Sequence, residues 1–355
     1  MCATRRGCSA IGLSAIVARQ GRALATMHSD AVLYLSAHDV ESLHLGAQEI
    51  IDSIKRVLQS YSATRAVQAH KSNVQAPGGS YFQALPAILL DESISAVKWV
   101  SVTPGHGRSR SVNATILLTA LSTGRLLAIL DGAWITAFRT AAMSAIAARA
   151  LAKRDSRTAG FIGCGVQASS HLHVLKAEFP SIETVTAYAR SPESAVRLCG
   201  TARALGISAV AVNSPREAVE GQDIVVSTVP RAGLQAPFLD ATWLAPGAFA
   251  SLVDLGRSWN PDTLRSTEVV ATDDREQSAA LAAEGSLSHI GRFAYDLAEL
   301  AEGVPSTLNG SARRLFIFGG MPICDAAVAA RCYQRATALG TIGVRLPEND
   351  GHGYE

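Results

Sequence analysis

Gly163-Cys164-Gly165-Val166-Gln167-Ala168 sets two glycines directly after the apolar run Thr158–Ile162 and directly before a helix-forming stretch. Glycines there permit a tight strand-to-helix turn and let backbone N–H groups approach a pyrophosphate. The helix that follows offers its positive N-terminus to the same anion. Ala168 stands where a three-glycine fingerprint has its last glycine, a change that still allows close helix–strand packing. A lone Gly-x-Gly serves many turns. With a strand before it, a helix after it and strand–helix alternation downstream, this one reads as a dinucleotide site whose floor is Gly163, Gly165, Val166 and Gln167. Ser227-Thr228-Val229, closing a later strand, extends the site toward the nicotinamide. The end of the second strand bears on which dinucleotide is bound, because an NAD site places Asp or Glu there for the adenosine ribose. Here the residues are Tyr188-Ala189-Arg190-Ser191. Arg190 suits a 2′-phosphate and Ser191 adds a donor, so NADP(H) is favoured. NAD(H) stays open as the alternative, with Glu193 one helical turn away.

The patterning around these residues supplies a scaffold. After the turn, the expected strands are Thr158–Ile162, Thr184–Tyr188, Ser208–Val212, Asp223–Val229, Phe249–Asp254 and Glu268–Thr272. They alternate with helices at Gln167–Lys176, Pro192–Leu205 and Pro215–Val219. Such alternation specifies a doubly wound parallel sheet of Rossmann type with helices on both faces. Upstream, Ala31–Ser36 reads as a strand, followed by helical spacing through Val40, Leu43, Ile50, Ile54 and Val57. Strands are then expected at Ala66–Gln75, Tyr81–Leu90, Ser95–Val102, Asn113–Leu121 and Leu126–Asp131. Ala-rich Arg139–Ala152 and Asp325–Leu339 read as helices, the latter returning to the first unit. The expected architecture is α/β, with a dinucleotide-binding domain of residues 151–319 inserted in a second, α+β domain of residues 30–150 plus 320–350.

Composition narrows the function. The chain has 355 residues, 48% apolar and 17% charged, with formal net charge +2. That content builds sizeable cores, and its dispersed Lys and Arg argue against a nucleic-acid surface. A small acidic or zwitterionic partner fits. The six cysteines form no CxxC pair and no His cluster has zinc spacing, so no metal site is expected and free thiols in a reducing, cytoplasmic setting are. No apolar run reaches the roughly 20 residues of a membrane helix. Residues 1–29 carry Arg5, Arg6, Arg19 and Arg22 and no acid before Asp30. They read as a poorly ordered extension, either an organellar transit peptide or a stretch upstream of a start at Met27.

Arg139-Thr140-Ala141-Ala142-Met143-Ser144-Ala145 pairs a basic residue with threonine ahead of an Ala-rich run. Further features accompany it: the turn ending in Gln-Ala, Thr123-Gly124 followed by Ala128–Gly132, the strand Val97-Lys98-Trp99-Val100, and the late segment Phe316–Val328. Together they resemble the ornithine cyclodeaminase/mu-crystallin family over about residues 31–345. The resemblance implies that Arg139 binds a substrate carboxylate, to which a guanidinium offers two parallel bonds, and that Thr140 contacts the pyrophosphate. It places Lys98 beside the amino or imino group at the reacting carbon, where burial would lower its pKa and suit proton transfer. Asp254, ending its strand, resembles the acid used near the nicotinamide. The resemblance also implies that the first domain binds substrate and forms a homodimer through its sheet.

Three departures touch the substrate pocket and spare the cofactor turn. Cyclodeaminases carry Glu three residues before a proline, whereas this chain has Gln83 before Pro86, and a neutral amide cannot hold an ammonium by charge. Their upstream carboxylate-binding arginine is missing, and the same strand offers Lys71 or Gln75. Leu255-Gly256-Arg257-Ser258-Trp259 replaces their Pro-Gly-Lys type of sequence after the acid. Ornithine is thereby disfavoured. The expectation is an NAD(P)-dependent imine reductase or amino-acid dehydrogenase that moves a hydride at the α-carbon of a small amino or cyclic imino acid. Arg139 and Lys71 would hold the carboxylate, Gln83 would line the pocket, and Lys98 or Asp254 would handle the imine-linked proton. A cyclodeaminase that retains NAD and releases ammonia, and a non-catalytic mu-crystallin-like binding protein, are the other readings.

Overall fold

The computed structural model describes residues 31–103, 111–230, 236–285, 287, 290–303 and 310–347; the expected extension, residues 1–29, lies outside them. The strands before the cofactor turn are β1 (Ala31–Leu35), β2 (Ala66–Gln68), β3 (Ser72–Gln75), β4 (Tyr81–Leu89), β5 (Ile94–Thr103), β6 (Ser111–Ala120) and β7 (Leu126–Asp131). The later ones are β8 (Thr158–Ile162), β9 (Thr184–Tyr188), β10 (Ser208–Ala211), β11 (Ile224–Ser227), β12 (Phe249–Leu252), β13 (Val269–Ala271), β14 (Arg314–Ile317) and β15 (Val344–Pro347). Strands β8 to β14 form one sheet in the order β10-β9-β8-β11-β12-β14-β13, and its pairings are all parallel. The order reverses between β8 and β11, where a doubly wound sheet opens a crevice at the carboxyl ends of its strands. The Rossmann-type sheet is thus present. It is also inserted, because the strands on either side of it in sequence, β1–β7 and β15, build a separate mixed sheet. That sheet runs β15-β1-β7-β6-β5-β4-β2, with β3 also paired to β4.

The helices are α1 (Ala37–Ser42), α2 (Ala47–Ser62), α3 (Ala133–Leu151), α4 (Val166–Glu178), α5 (Pro192–Ala204), α6 (Pro261–Arg265), α7 (Arg275–Ala283), α8 (Leu297–Glu302) and α9 (Pro322–Leu339). Small residues bury α3 on nearly every side. A helix apolar all round needs cover all round, and α2, α4, α8 and α9 provide it, together with β6 of one sheet and β12 and β14 of the other. Helix α9 lies against β4, β5 and α2, which returns the chain to the first sheet as its Ala-rich pattern predicts. Among the described residues no helix is long and apolar enough to cross a membrane. Cys164, Cys199, Cys324 and Cys332 are free thiols.

Four local expectations need correction. The Ala-rich helix begins at Ala133 rather than Arg139. Asp131 accepts the Ala133 N–H at 2.9 Å, and Trp134 stacks on Phe138 with ring centroids 4.4 Å apart. The cap, the ring pair within the helix and the burial of Ile135 and Ala137 in the core thus carry residues of middling propensity into the helix, and Arg139 sits inside it. The expected strand Ala66–Gln75 is two strands, because Pro86 on β4 has no N–H to offer a partner. Residues 69–71 there face only residues 85 and 86, a bulge that lifts Lys71 out of the ladder. Pro215–Val219 closes as turns, with the N–H groups of Val219 and Glu220 both reaching Arg216 O. Helix α9 starts at Pro322 rather than Asp325, since proline suits a first turn whose N–H groups lack helical partners.

Gly160 in β8 has no space for a side chain, because a Cβ there would lie 1.8 Å from the Ala218 carbonyl oxygen. Gly160→Ala is expected to cost about 3 kcal/mol of unfolding free energy or to prevent folding, as read by urea denaturation. A loss below about 0.5 kcal/mol, the range of an ordinary surface change, would contradict so close an approach.

Candidate active site

The cofactor turn has the geometry its residues demand. Gly163 adopts φ 84°, open to glycine and strained for other residues. Thr228 clamps it, donating from its N–H to Ile162 O and from its hydroxyl to Gly163 O, both at 2.8 Å. A Cβ at Gly163 would lie 2.9 Å from Thr228 O, whereas a Cβ at Gly165 would meet no protein atom within 4 Å. Packing therefore does not require glycine at 165, and the open space there is what a closely approaching ligand needs. Helix α4 begins at Val166 with no side chain capping its N-terminus. Gln167 Oε1 beside it is buried without a partner. A cavity of about 780 Å³ opens from the turn and is lined by Gly163, Gly165, Arg190, Ser191, Thr228 and Val229. An uncapped helix end and a glycine facing open space together fit a dinucleotide whose pyrophosphate rests on the turn, and the orphaned amide oxygen, an acceptor, suits a hydroxyl or amide donor of the same ligand. The Ser191 hydroxyl donates to Glu193 at 2.5 Å, so an acid does stand near the far end of the cavity. Ser227 is turned inward, toward Asp254 and Trp259.

The second centre lies between β5, α3 and α9. Buried and half-exposed residues alternate along β5, which sets Lys98 on the core face with Ala96 and Val100 and leaves Trp99 on the other. Lys98 is 2% exposed. A buried ammonium needs a counter-charge, and Asp325 in the first turn of α9 supplies it at 2.7 Å. The same oxygen, Asp325 Oδ1, accepts from Arg139 Nε at 2.8 Å. Asp325 Oδ2 is buried with no partner. Gly320 gives the guanidinium room, since a Cβ there would lie 2.5 Å from Arg139 Nη1. The backbone at 319–320 is pinned from both sheets. Lys71 donates from its bulge to Gly319 O, while Gly320 N–H donates to Asp273 Oδ2 at 2.6 Å and Gln277 Nε2 to Gly320 O at 3.3 Å.

Burial pushes the Lys98 ammonium down to about 7; Asp325 opposes the fall, and Arg139 and Lys71 add to it. Burial likewise brings Lys71 down to about 8 against the pull of Asp273. At Asp325, burial alone would raise the carboxyl, but Arg139 and Lys98 outweigh it and hold the group below its ordinary range. Asp273 is raised by burial despite Lys71. Lys71, Lys98 and Arg139 thus converge on this centre, and their donors suit a bound carboxylate. A lysine poised near neutrality can give or take a proton there.

A polar ladder ties α3 to the cofactor helix. His171 Nδ1 lies 2.6 Å from Gln167 O, a carbonyl that can only accept, so Nδ1 carries the proton. Nε2 then accepts from Ser144 Oγ at 2.9 Å, and Ser144 accepts from Ser251 Oγ at 2.8 Å. Burial keeps His171 neutral, with its pKa down to about 4. Thr140 is buried beside Arg139 and donates its hydroxyl to Thr136 O at 2.6 Å.

The fold thus brings Lys71, Lys98 and Arg139 together and leaves Asp254 and Gln83 outside their hydrogen bonds. Asp254 Oδ1 accepts from Ser227 Oγ and Gly256 N–H, both at 3.1 Å, and Oδ2 from Ser258 Oγ at 2.5 Å. Burial raises its carboxyl to about 6. Gln83 donates to Asn73 Oδ1 at 2.6 Å and shares with Lys71, Gln277 and Gly319 the lining of a cavity of about 290 Å³.

A profile of the ornithine cyclodeaminase/mu-crystallin family matches residues 31–339. The chain belongs to the ornithine cyclodeaminase/mu-crystallin family. It is 30% identical over 314 residues to the ketimine reductase mu-crystallin of Mus musculus, covering 85% of this chain and 97% of that one. Its fold is similar to that of a Thermococcus litoralis Δ1-pyrroline-2-carboxylate reductase in complex with NADH and L-proline. That likeness has 30% identity and TM-score 0.77 over 88% of this chain and 99% of the other. An archaeal alanine dehydrogenase dimer with bound NAD is similar at 26% identity and TM-score 0.78, over 89% and 99% of the two chains.

Within this member of the family, sequence reasoning missed Asp325 and Asp273. Asp325 reads as an ordinary acid in a helix's first turn. Its signal is its company: no other charged residue lies between Arg314 and Arg331, so its segment is otherwise fit only for the interior. Removing it leaves two buried cations without their shared anion. Asp325→Ala is expected to lower unfolding free energy by about 3–5 kcal/mol in guanidinium denaturation, and a loss under about 1 kcal/mol, as for exposed ion pairs, would contradict a buried, shared carboxylate.

Proposed function

We propose that this chain is an NAD(P)-dependent imine reductase or amino-acid dehydrogenase acting at the α-carbon of a small amino or cyclic imino acid. The observation that carries this reading is the buried Lys98–Asp325–Arg139 group, in which a proton-exchanging lysine and a carboxylate-binding arginine share one anion. Relatives described as pyrroline-carboxylate reductase, ketimine reductase and alanine dehydrogenase support it. Reduced nicotinamide, when bound, supplies the hydride that forms the new C–H bond. Arg139 and Lys71 hold the substrate carboxylate and so orient the α-carbon. As the C=N π bond breaks, its electron pair on nitrogen takes a proton from Lys98 Nζ; in the oxidative direction Lys98 takes that proton back. Lys98 is assigned this role over Asp254, both of whose oxygens are occupied. Burial strengthens each of these interactions by excluding water. Gln83, neutral and bonded to Asn73, offers no charge for a second substrate ammonium, which favours reduction over cyclodeamination.

For the cofactor we propose NADP(H) over NAD(H), on the strength of Arg190 lining the cavity at the strand end where an NAD site carries an acid; Glu193, which holds the Ser191 hydroxyl, is the feature that favours NAD(H). A homodimer is proposed through the outer face of the first sheet, where Trp99 is 46% exposed and stacks on Phe82; the alanine dehydrogenase relative is a dimer.

Reduction needs protonated Lys98, whose ammonium is pushed down to about 7 amid Asp325, Arg139 and Lys71. With Δ1-pyrroline-2-carboxylate and NADPH, kcat/KM is expected to fall about tenfold per pH unit above that point. The oxidative rate, which needs the free amine, should rise up to that point and level off above it. Lys98→Met should lose about 10²–10⁴ in kcat and flatten both profiles; wild-type profiles flat from pH 6 to 9 would contradict the assignment. Arg190→Asp should reverse the ratio of kcat/KM for NADPH against NADH, and an unchanged preference would reject the phosphate role. Ammonia released without net oxidation of the cofactor would replace the reductase reading with a cyclodeaminase.

A further inference from the structure

Asp325 has one oxygen with two donors and one with none. Oδ1 takes both Lys98 Nζ and Arg139 Nε, whereas Oδ2 is buried and unpartnered on a residue 1% exposed. A buried carboxylate oxygen without a donor is costly and calls for an explanation. Its surroundings narrow the choice. Arg139 is the group suited to a carboxylate, and Lys98 the group suited to exchange a proton at nitrogen. In an α-amino or α-imino acid, carboxylate and nitrogen are carried by the same carbon, so a residue that bridges those two partners stands beside the place the nitrogen must occupy. Asp254 offers no comparable oxygen, because Ser227, Gly256 and Ser258 already fill both of its own.

Building on the reductase reading, we propose that Asp325 Oδ2 accepts the N–H of the substrate's reacting nitrogen, so that Asp325 rather than Asp254 is the carboxylate facing that nitrogen. The preferred substrate is then an imino acid whose nitrogen is protonated in the bound state, with its positive charge against an ionised carboxylate. Analogues that present an acceptor at that position leave Oδ2 facing a lone pair and are rejected, as a site built around a hydrogen-bond donor rejects ligands lacking it. Oδ1 meanwhile keeps Lys98 and Arg139 in register, which couples recognition of the nitrogen to that of the carboxylate.

Two planar ligands of nearly the same shape separate these effects: pyrrole-2-carboxylate carries a ring N–H, and furan-2-carboxylate has an oxygen in its place. Titration calorimetry on the full chain is expected to give at least about tenfold tighter binding of the pyrrole. Asp325→Asn should bring that preference below about threefold. The amide oxygen would stay with the two cations and turn its NH₂ toward the ligand's own donor. Asp254→Asn should keep the preference, and because wild type alone must show it, the proposal does not depend on either variant folding. Equal binding of the two ligands by wild type, binding of neither, or a preference that survives Asp325→Asn overturns the proposal. So does its loss in Asp254→Asn. Oxidation of NADPH by Δ1-pyrroline-2-carboxylate without an N–H preference would remove the role of Asp325 alone. An N–H preference without that oxidation would remove the reductase reading alone.

Discussion

One carboxylate oxygen, Asp325 Oδ1, neutralises two cations in the interior of the molecule, and the arrangement of the chain follows from that constraint. Lys98 comes from β5, Arg139 from α3 and Asp325 from α9. Helix α3 is the segment by which the chain leaves the first sheet for the second, and α9 is the segment by which it returns. The inserted Rossmann-type sheet therefore places the outgoing arginine and the returning aspartate side by side where the chain crosses between sheets. Burying such a group costs desolvation that only good geometry offsets. The small residues of α3 and the absence of a side chain at Gly320 allow the approach that geometry needs.

The same crossing joins charge to cofactor. Ser251, Ser144 and His171 run as donor-to-acceptor steps from β12 through α3 to α4, ending on Gln167 O in the first turn of the cofactor helix. A neutral, fixed imidazole adds no charge between the two centres. The basic side chains are thus confined to Lys71, Lys98 and Arg139, where an anionic substrate group would meet them. Asp254, held by Ser227 and Ser258 at the carboxyl edge of β12, instead shapes the wall of the parallel sheet.

What was legible in the sequence is what depends on neighbours in sequence. The glycine turn and the strand–helix alternation after it are local patterns, whereas the burial of Lys98 was implied by the family resemblance and not by its strand alone. The pairing of Asp325 with Lys98 and Arg139 spans 227 and 186 residues, and no local pattern reports such a contact. Helices α6, α7 and α8 are short, with too few turns for a periodic signal, and β15 is an exposed four-residue edge. The start of α3 was hidden because burial of Ile135 and Ala137 in the core, not propensity, sets it. The break at Lys71 was readable in principle from Pro86, once β4 is known to face that segment.

Hydride transfer at the α-carbon is tested most directly by following deuterium from C4-deuterated NADPH into the product formed from Δ1-pyrroline-2-carboxylate, read by NMR. One deuterium on the α-carbon of proline, with no ammonia released, is the predicted result. Product that carries no label at that carbon, or ammonia without net oxidation of the cofactor, would contradict it.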